Sequence, residues 1–217
     1  MNIGLLFDMD GVIVNNHEYH YQSWQLMCEK YGKPLSQDSY MQNMNGRTLN
    51  EVVQFIFETE MSMERVREIG EEKEAIYRDL YRKHLAPTDG LLTFLAACSA
   101  ASIPMVVGTS APTRNVDFTL DGLGIRSIFQ GVLDERAVTK GKPNPEIYQK
   151  CAASIGLPNQ QCVVFEDALS GIEAGKAAGS KVIALATSHK RSELDADLII
   201  DDFTQLGLEQ IHELFST

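Results

Sequence analysis

Positive charge is what this sequence can least spare. Its 217 residues carry 19 Lys and Arg against 30 Asp and Glu, a formal net charge of −11. Binding along a nucleic-acid backbone draws on clustered Lys and Arg that displace counterions, so that partner class is not expected, and any phosphate must be held locally. Cysteine is sparse too: Cys28, Cys98, Cys151 and Cys162 are scattered, with no CxxC pair. That argues against a disulfide framework or a zinc site. With no leader-like segment ahead of the first apolar run, a reduced, cytoplasmic setting is expected. Long hydrophobic runs, low-complexity tracts and repeats are missing as well, so no membrane partner is expected. What is present, 44% hydrophobic residues, suffices for one sizeable core with a modest second module, taken here as a monomer.

Short apolar runs recur, each followed at once by polar or acidic residues: LLF before Asp8, PMVVG before Thr109, CVVF before Glu166, KVIAL before Ala186 and DLII before Asp201. Runs that are continuous rather than alternating predict strands covered on both faces. The stretches between the later ones predict helices. PNPEIYQKCAASIG spaces Ile147, Cys151 and Ile155 four apart and ends at Gly156, and LSGIEAGKAAG offers small residues for close packing. The fold class expected is α/β, a Rossmann-like doubly wound parallel sheet. Between Asn16 and Leu85 the texture changes. Trp24, Met27, Cys28 and Tyr31 fall on one helical face closed by Gly32, Thr48 and Glu51 suit a capping box, and a charged segment runs from Met63 to His84. We therefore expect a catalytic core over 1–15 and 86–217, and an all-helical cap over 16–85 inserted after the first strand.

In an open parallel sheet, ligands bind beyond the carboxyl ends of the strands. Those ends would gather Asp8 and Asp10, Thr109 and Ser110, Glu166 and Asp167, with Lys142 arriving from a loop. Carboxylates, a hydroxyl and a lysine suit a hard divalent cation and a phosphoryl group. Taken singly, each has a plainer explanation: DxDG as an acidic turn, Thr109 and Ser110 as helix caps, Lys142 as a loop lysine. Their joint occurrence in order is what points to chemistry.

FDMDGVIV, VVGTSAP, KGKPNPEIY and VVFEDALSGIEAGKAAG together resemble the four ordered motifs of the haloacid dehalogenase superfamily, and the match spans nearly the whole chain. The insert, with HEYHYQSW over residues 17–24, is similar to the cap of the beta-phosphoglucomutase-like phosphatases and mutases. The resemblance implies Asp8 as nucleophile and Asp10 as general acid and base, with Thr109 and Lys142 orienting the phosphoryl group. It implies Mg2+ held by Asp8, the Asp10 backbone carbonyl, Glu166 and Asp167. It also implies substrate contacts from Ser110, Arg114 and Asn115 in the core and from His20, Arg47 and Lys73 in the cap. A carboxylate nucleophile divides a hard displacement into two steps, and a second carboxylate can move the protons.

The expected function is hydrolysis of a small phosphorylated metabolite, most simply a sugar phosphate. A phosphomutase interconverting beta-glucose 1-phosphate and glucose 6-phosphate is the alternative, and a catalytically silent binding protein ranks third because no motif residue is missing. His20 and Lys73 favour the mutase, although Lys73 alone, within EEKEAIYRDLY, reads as a solvated charge. Against it, Arg47 follows Gly46 directly, whereas the mutase pattern places its phosphate-gripping arginine three residues after the glycine. Arg114 could partly substitute.

Overall fold

In a computed structural model of the chain, which describes residues 2–44 and 47–216, the chain forms two compact units, one of residues 1–15 with 85–217 and one of residues 16–84. In the first unit, β1 (Gly4–Phe7) precedes the insertion point. In the second, α1 (His17–Lys30), α2 (Gln37–Asn43), α3 (Leu49–Phe57) and α4 (Met63–Tyr81) follow one another. The first unit then resumes with α5 (Leu91–Ala100), β2 (Met105–Gly108), α6 (Thr113–Gly122), β3 (Gly131–Leu133) and α7 (Glu146–Ser154). It finishes with β4 (Cys162–Glu166), α8 (Leu169–Ala178), β5 (Lys181–Leu185), β6 (Leu198–Ile200) and α9 (Leu208–Glu213).

The strands form one all-parallel sheet in the order β3-β2-β1-β4-β5-β6. β1 lies inside it, with Phe7 in register with Val107 on one side and Phe165 on the other. Because side chains alternate along a strand, β1 and β4 feed two cores. Leu6 and Val164 face Tyr148, Cys151 and Ile172 from α7 and α8. Phe7 stacks on Phe165 with ring centroids 4.5 Å apart and meets Phe94 of α5 and Phe203 of the turn before α9. Each such aromatic pair adds about 1 kcal/mol beyond its area burial. Both faces are thus covered, which is why these strands read as unbroken apolar runs.

One strand was not foreseen in the sequence. β3, GVL, lies half-buried at the sheet edge, and with only Val132 and Leu133 after a glycine it makes no apolar run that stands out.

In the helical unit, Trp24, Met27 and Cys28 of α1 pack with Val52, Val53 and Ile56 of α3 and Val66 and Ile69 of α4. The Thr48–Glu51 capping box starts α3, and Gly32, at φ 69°, follows α1. This left-handed conformation favours glycine.

Candidate active site

Asp8 follows β1 directly and is anchored by its own N–H, which donates to Phe165 O at 3.0 Å. The chain then turns sharply: Gly11, at φ 79°, donates its N–H to Val14 O at 2.7 Å, a conformation that excludes most other residues at this position. The parallel register brings the ends of β1, β2 and β4 to one edge of the sheet, with Asp8, Thr109 and Glu166 at those ends.

Lys142 joins them from the loop before α7. Its Nζ donates to Asp8 Oδ1 at 2.5 Å and to Glu166 Oε1 at 2.6 Å, and lies 5.0 Å from the centre of the Tyr148 ring. The loop is held by Glu146, the first residue of α7. Its Oε2 accepts from the backbone N–H of Thr139 and of Lys140, both at 3.0 Å, while Oε1 accepts from Lys150 Nζ at 2.6 Å.

Glu166 accepts four hydrogen bonds within the protein. Oε1 accepts from Lys142 and from Tyr148 Oη at 2.7 Å, and Oε2 accepts from the N–H groups of Asp167 and Ala168 at 3.0 and 3.2 Å. No basic residue flanks Glu166 in the sequence to pair with it. The partner is Lys142, distant in sequence and brought close by the sheet. Gly171, on the first turn of α8, leaves space for this carboxylate: a Cβ there would lie 1.8 Å from Glu166 Oε1.

Asp8, Glu166 and Asp167 are all buried, and each offers an oxygen within 4.8 Å of the others. Lys142 brings one positive charge to these three carboxylates. Burial, followed by the repulsion of Glu166 and Asp167, pushes the Asp8 carboxyl well above its usual range, although Lys142 pulls the other way. For Lys142, burial favours the neutral amine but Asp8 and Glu166 prevail, and its proton is held more tightly than usual. A compact, anionic, all-oxygen donor set suits a hard divalent cation.

Thr109 is buried at the end of β2. Its N–H donates to Leu133 O and its Oγ1 accepts from Ala111 N at 3.1 Å, which leaves the hydroxyl hydrogen for a ligand oxygen. Of the other candidates in the core unit, Asp10 is half-buried, Ser110 and Arg114 are exposed, and Asn115 is buried in the first turn of α6.

His20 and Lys73 come together in the helical unit. Lys73 is not a solvated charge. It is 4% exposed, its Nζ is 2.7 Å from His20 Nδ1 and 2.9 Å from Glu74 Oε1, and it lies 5.6 Å from the ring centres of both Trp24 and Tyr77. His20 stacks on Tyr77 at a centroid distance of 4.0 Å. Lys73 Nζ and Asn16 Nδ2 flank the two ring nitrogens of His20, at 2.7 Å from Nδ1 and 3.4 Å from Nε2. Arg47 is exposed in the turn before α3, and Gly46, which precedes it, lies outside the described residues.

Two groups that sequence reasoning missed touch the acidic loops. Thr187 Oγ1 donates to Gly11 O at 2.7 Å and Ser188 Oγ donates to Asp167 O at 2.8 Å. Nothing in ATSHK signals this, because the contacts depend on where β5 ends.

A doubly wound parallel sheet that gathers carboxylates, an ammonium and a hydroxyl at one edge, with an aspartate after its first strand, defines a class of phosphoryl-transfer enzyme. The chain belongs to the haloacid dehalogenase-like hydrolases, whose family model matches residues 5–185. It is 30% identical to a beta-phosphoglucomutase of Bacillus subtilis over 96% of this chain and 93% of that protein. It is 31% identical to a fructose-1-phosphate phosphatase of Escherichia coli over 83% of this chain and 94% of that one. Among solved structures, a haloacid dehalogenase-type hydrolase of family IA, variant 3, from Entamoeba histolytica superimposes with a TM-score of 0.94 at 29% identity, over 99% of this chain and 100% of that one. The protein is accordingly an enzyme of the phosphatase and phosphomutase type.

Proposed function

We propose that the chain is a Mg2+-dependent phosphatase for a small phosphorylated metabolite, a sugar phosphate in the first instance, acting through a phosphorylated Asp8. The observation that carries this is the placement of Asp8 after β1, with Lys142 Nζ 2.5 Å from its Oδ1 and the Asp167 and Glu166 carboxylates within reach of one ion. Asp8, Asp167 and Glu166, with the Asp10 backbone carbonyl, are the groups we take to hold Mg2+. When bound, the ion would offset the negative charge shared by nucleophile and phosphate.

An Asp8 oxygen attacks phosphorus, the bond from phosphorus to the sugar oxygen breaks, and Asp10 gives its proton to that oxygen. Asp10 then takes a proton from water as the water oxygen attacks phosphorus. The bond to Asp8 breaks, inorganic phosphate leaves and Asp8 returns as a carboxylate. Thr109 and Lys142 donate to the phosphoryl oxygens throughout. Ser110, Arg114 and Asn115, with Arg47 of the helical unit, are the proposed contacts to the rest of the substrate.

A second reading, a phosphomutase, is favoured by the close His20–Lys73 pair and by the likeness to a beta-phosphoglucomutase. The likeness to a fructose-1-phosphate phosphatase and the position of Arg47 directly after Gly46 support hydrolysis. The test is a phosphate-release screen over sugar phosphates with Mg2+, beside an assay for conversion of beta-glucose 1-phosphate to glucose 6-phosphate primed with a bisphosphate. Phosphate release without isomerisation supports the phosphatase. Isomerisation roughly a hundredfold faster than release overturns it.

A further inference from the structure

Hydroxyl side chains at two consecutive positions, Thr187 and Ser188, reach two different acidic loops. Thr187 Oγ1 donates to the carbonyl of Gly11, the residue after Asp10, at 2.7 Å, and Ser188 Oγ donates to the carbonyl of Asp167 at 2.8 Å. A serine hydroxyl has one hydrogen, and Asp167 O receives it. The 2.8 Å contact between Ser188 Oγ and His189 Nδ1 must therefore be the ring N–H donating to the hydroxyl. His189 thus fixes the direction in which Ser188 donates. The segment follows β5 and is anchored by the N–H of Ala186, which donates to Ile200 O of β6 at 2.9 Å.

We infer that Thr187 and Ser188 are positioning residues, a strap that holds the Asp8–Gly11 turn and the Glu166–Asp167 turn at the separation their shared divalent cation requires. This rests on the metal-dependent reading above. The two turns belong to neighbouring strands, but the β1–β4 ladder ends at Phe7 and Phe165; past it, among the described residues, the Asp8 N–H donates to Phe165 O and Lys142 Nζ bridges the Asp8 and Glu166 side chains. Beyond that point each turn has its own local hydrogen bonds, Gly11 N–H to Val14 O in one and the Asp167 and Ala168 N–H groups to Glu166 Oε2 in the other. A two-point tether from a third segment limits how far they can part. Groups that orient metal ligands from behind typically govern affinity by 10- to 100-fold, and that is the range expected here.

The test is calorimetric titration of the metal-free protein with Mg2+, for the wild type, Thr187→Val, Ser188→Ala and the double variant, with steady-state kinetics alongside. The expected result is Mg2+ binding weakened roughly tenfold in each single variant and more in the double, with kcat at saturating Mg2+ falling while KM for the phosphate ester moves little. Thr187→Ser keeps the hydroxyl and should restore wild-type affinity. Should Thr187→Val fold poorly, Thr187→Ala replaces it, and a Thr187→Ser variant that binds Mg2+ as weakly as Thr187→Ala overturns the strap. Unchanged Mg2+ affinity in a folded double variant overturns it too, while leaving the phosphatase intact. A wild type that binds no Mg2+ removes the metal-dependent reading and the strap together.

Discussion

Lys142 carries a single charge into a buried cluster of three carboxylates, and the consequences differ for each residue it touches. Lys142→Ala leaves Asp8 and Glu166 without their ammonium, and breaking a buried pair from one side costs roughly 3 kcal/mol or more. We expect the metal-free variant to melt well below the wild type and Mg2+ to raise its Tm by more than it raises the wild type's, a comparison that differential scanning calorimetry settles. Asp8→Asn and Asp10→Asn should each lower turnover by about a thousandfold, for different reasons. The first should trap no phosphoenzyme by mass spectrometry, whereas the second should still bind Mg2+. Substantial turnover by Asp8→Asn would end the covalent mechanism. At this scale Asp8, Thr109 and Glu166 stood out because each sits where an apolar run meets a polar one. Tyr148, Thr187 and Ser188 were not, because a hydroxyl that reaches a carboxylate or a carbonyl across the sheet leaves no trace in local sequence.

Elements deliver these residues, and two helix starts can be tested. Gly171 would look replaceable on helix propensity, since alanine gains about 1 kcal/mol over glycine in a helix. A Cβ there would strike the Glu166 carboxylate, so Gly171→Ala should lower both Tm and kcat, against the propensity trend. An alanine variant that is more stable and fully active would refute the close packing of α8 on that side chain. At the start of α7, Lys150, Thr139 and the Lys140 N–H hold the Glu146 carboxyl down at about 2, from 4.5. Its folded value lies below its unfolded one. The clamp therefore favours the fold above about pH 4.5, and that contribution is lost as pH falls towards 2. The Tm of Glu146→Gln should accordingly vary less than that of wild type over that window. Element by element, the longer strands and the capped helices announced themselves through apolar runs, the Thr48–Glu51 box and closing glycines. β3 did not, because its glycine leaves only Val132 and Leu133 as apolar residues, where β6, as short and also at an edge, shows an unbroken Leu-Ile-Ile.

For the molecule as a whole, the four cysteines report on opening. All are free and buried, and burial pushes Cys28 and Cys162 up to about 11 and Cys98 and Cys151 up to about 12. These raised values mean that the folded state excludes thiolates. Stability from this source is intact below about pH 9 and declines as pH rises from 9 towards 12. At pH 8 a thiol reagent should label the native protein only as fast as it opens, and labelling should accelerate sharply in denaturant. Cys28 belongs to the helical unit and the other three to the sheet unit, so peptide mapping after brief labelling tells whether one unit opens before the other. Early, uniform labelling without denaturant would contradict the burial of all four. The inside position of β1 in the sheet has a further consequence, in the order of synthesis. The strand that presents Asp8 is made first, yet its partners Met105–Val107 follow about a hundred residues later and Cys162–Phe165 later still. At translation rates of roughly 5–20 residues per second, β1 waits on the order of five to twenty seconds for its first neighbour. During that interval its apolar residues have no sheet to join, while the helical segment between emerges with a hydrophobic cluster of its own. Asp8 is therefore among the earliest residues translated, yet its place at the sheet edge is set only once β2 and β4 have been made.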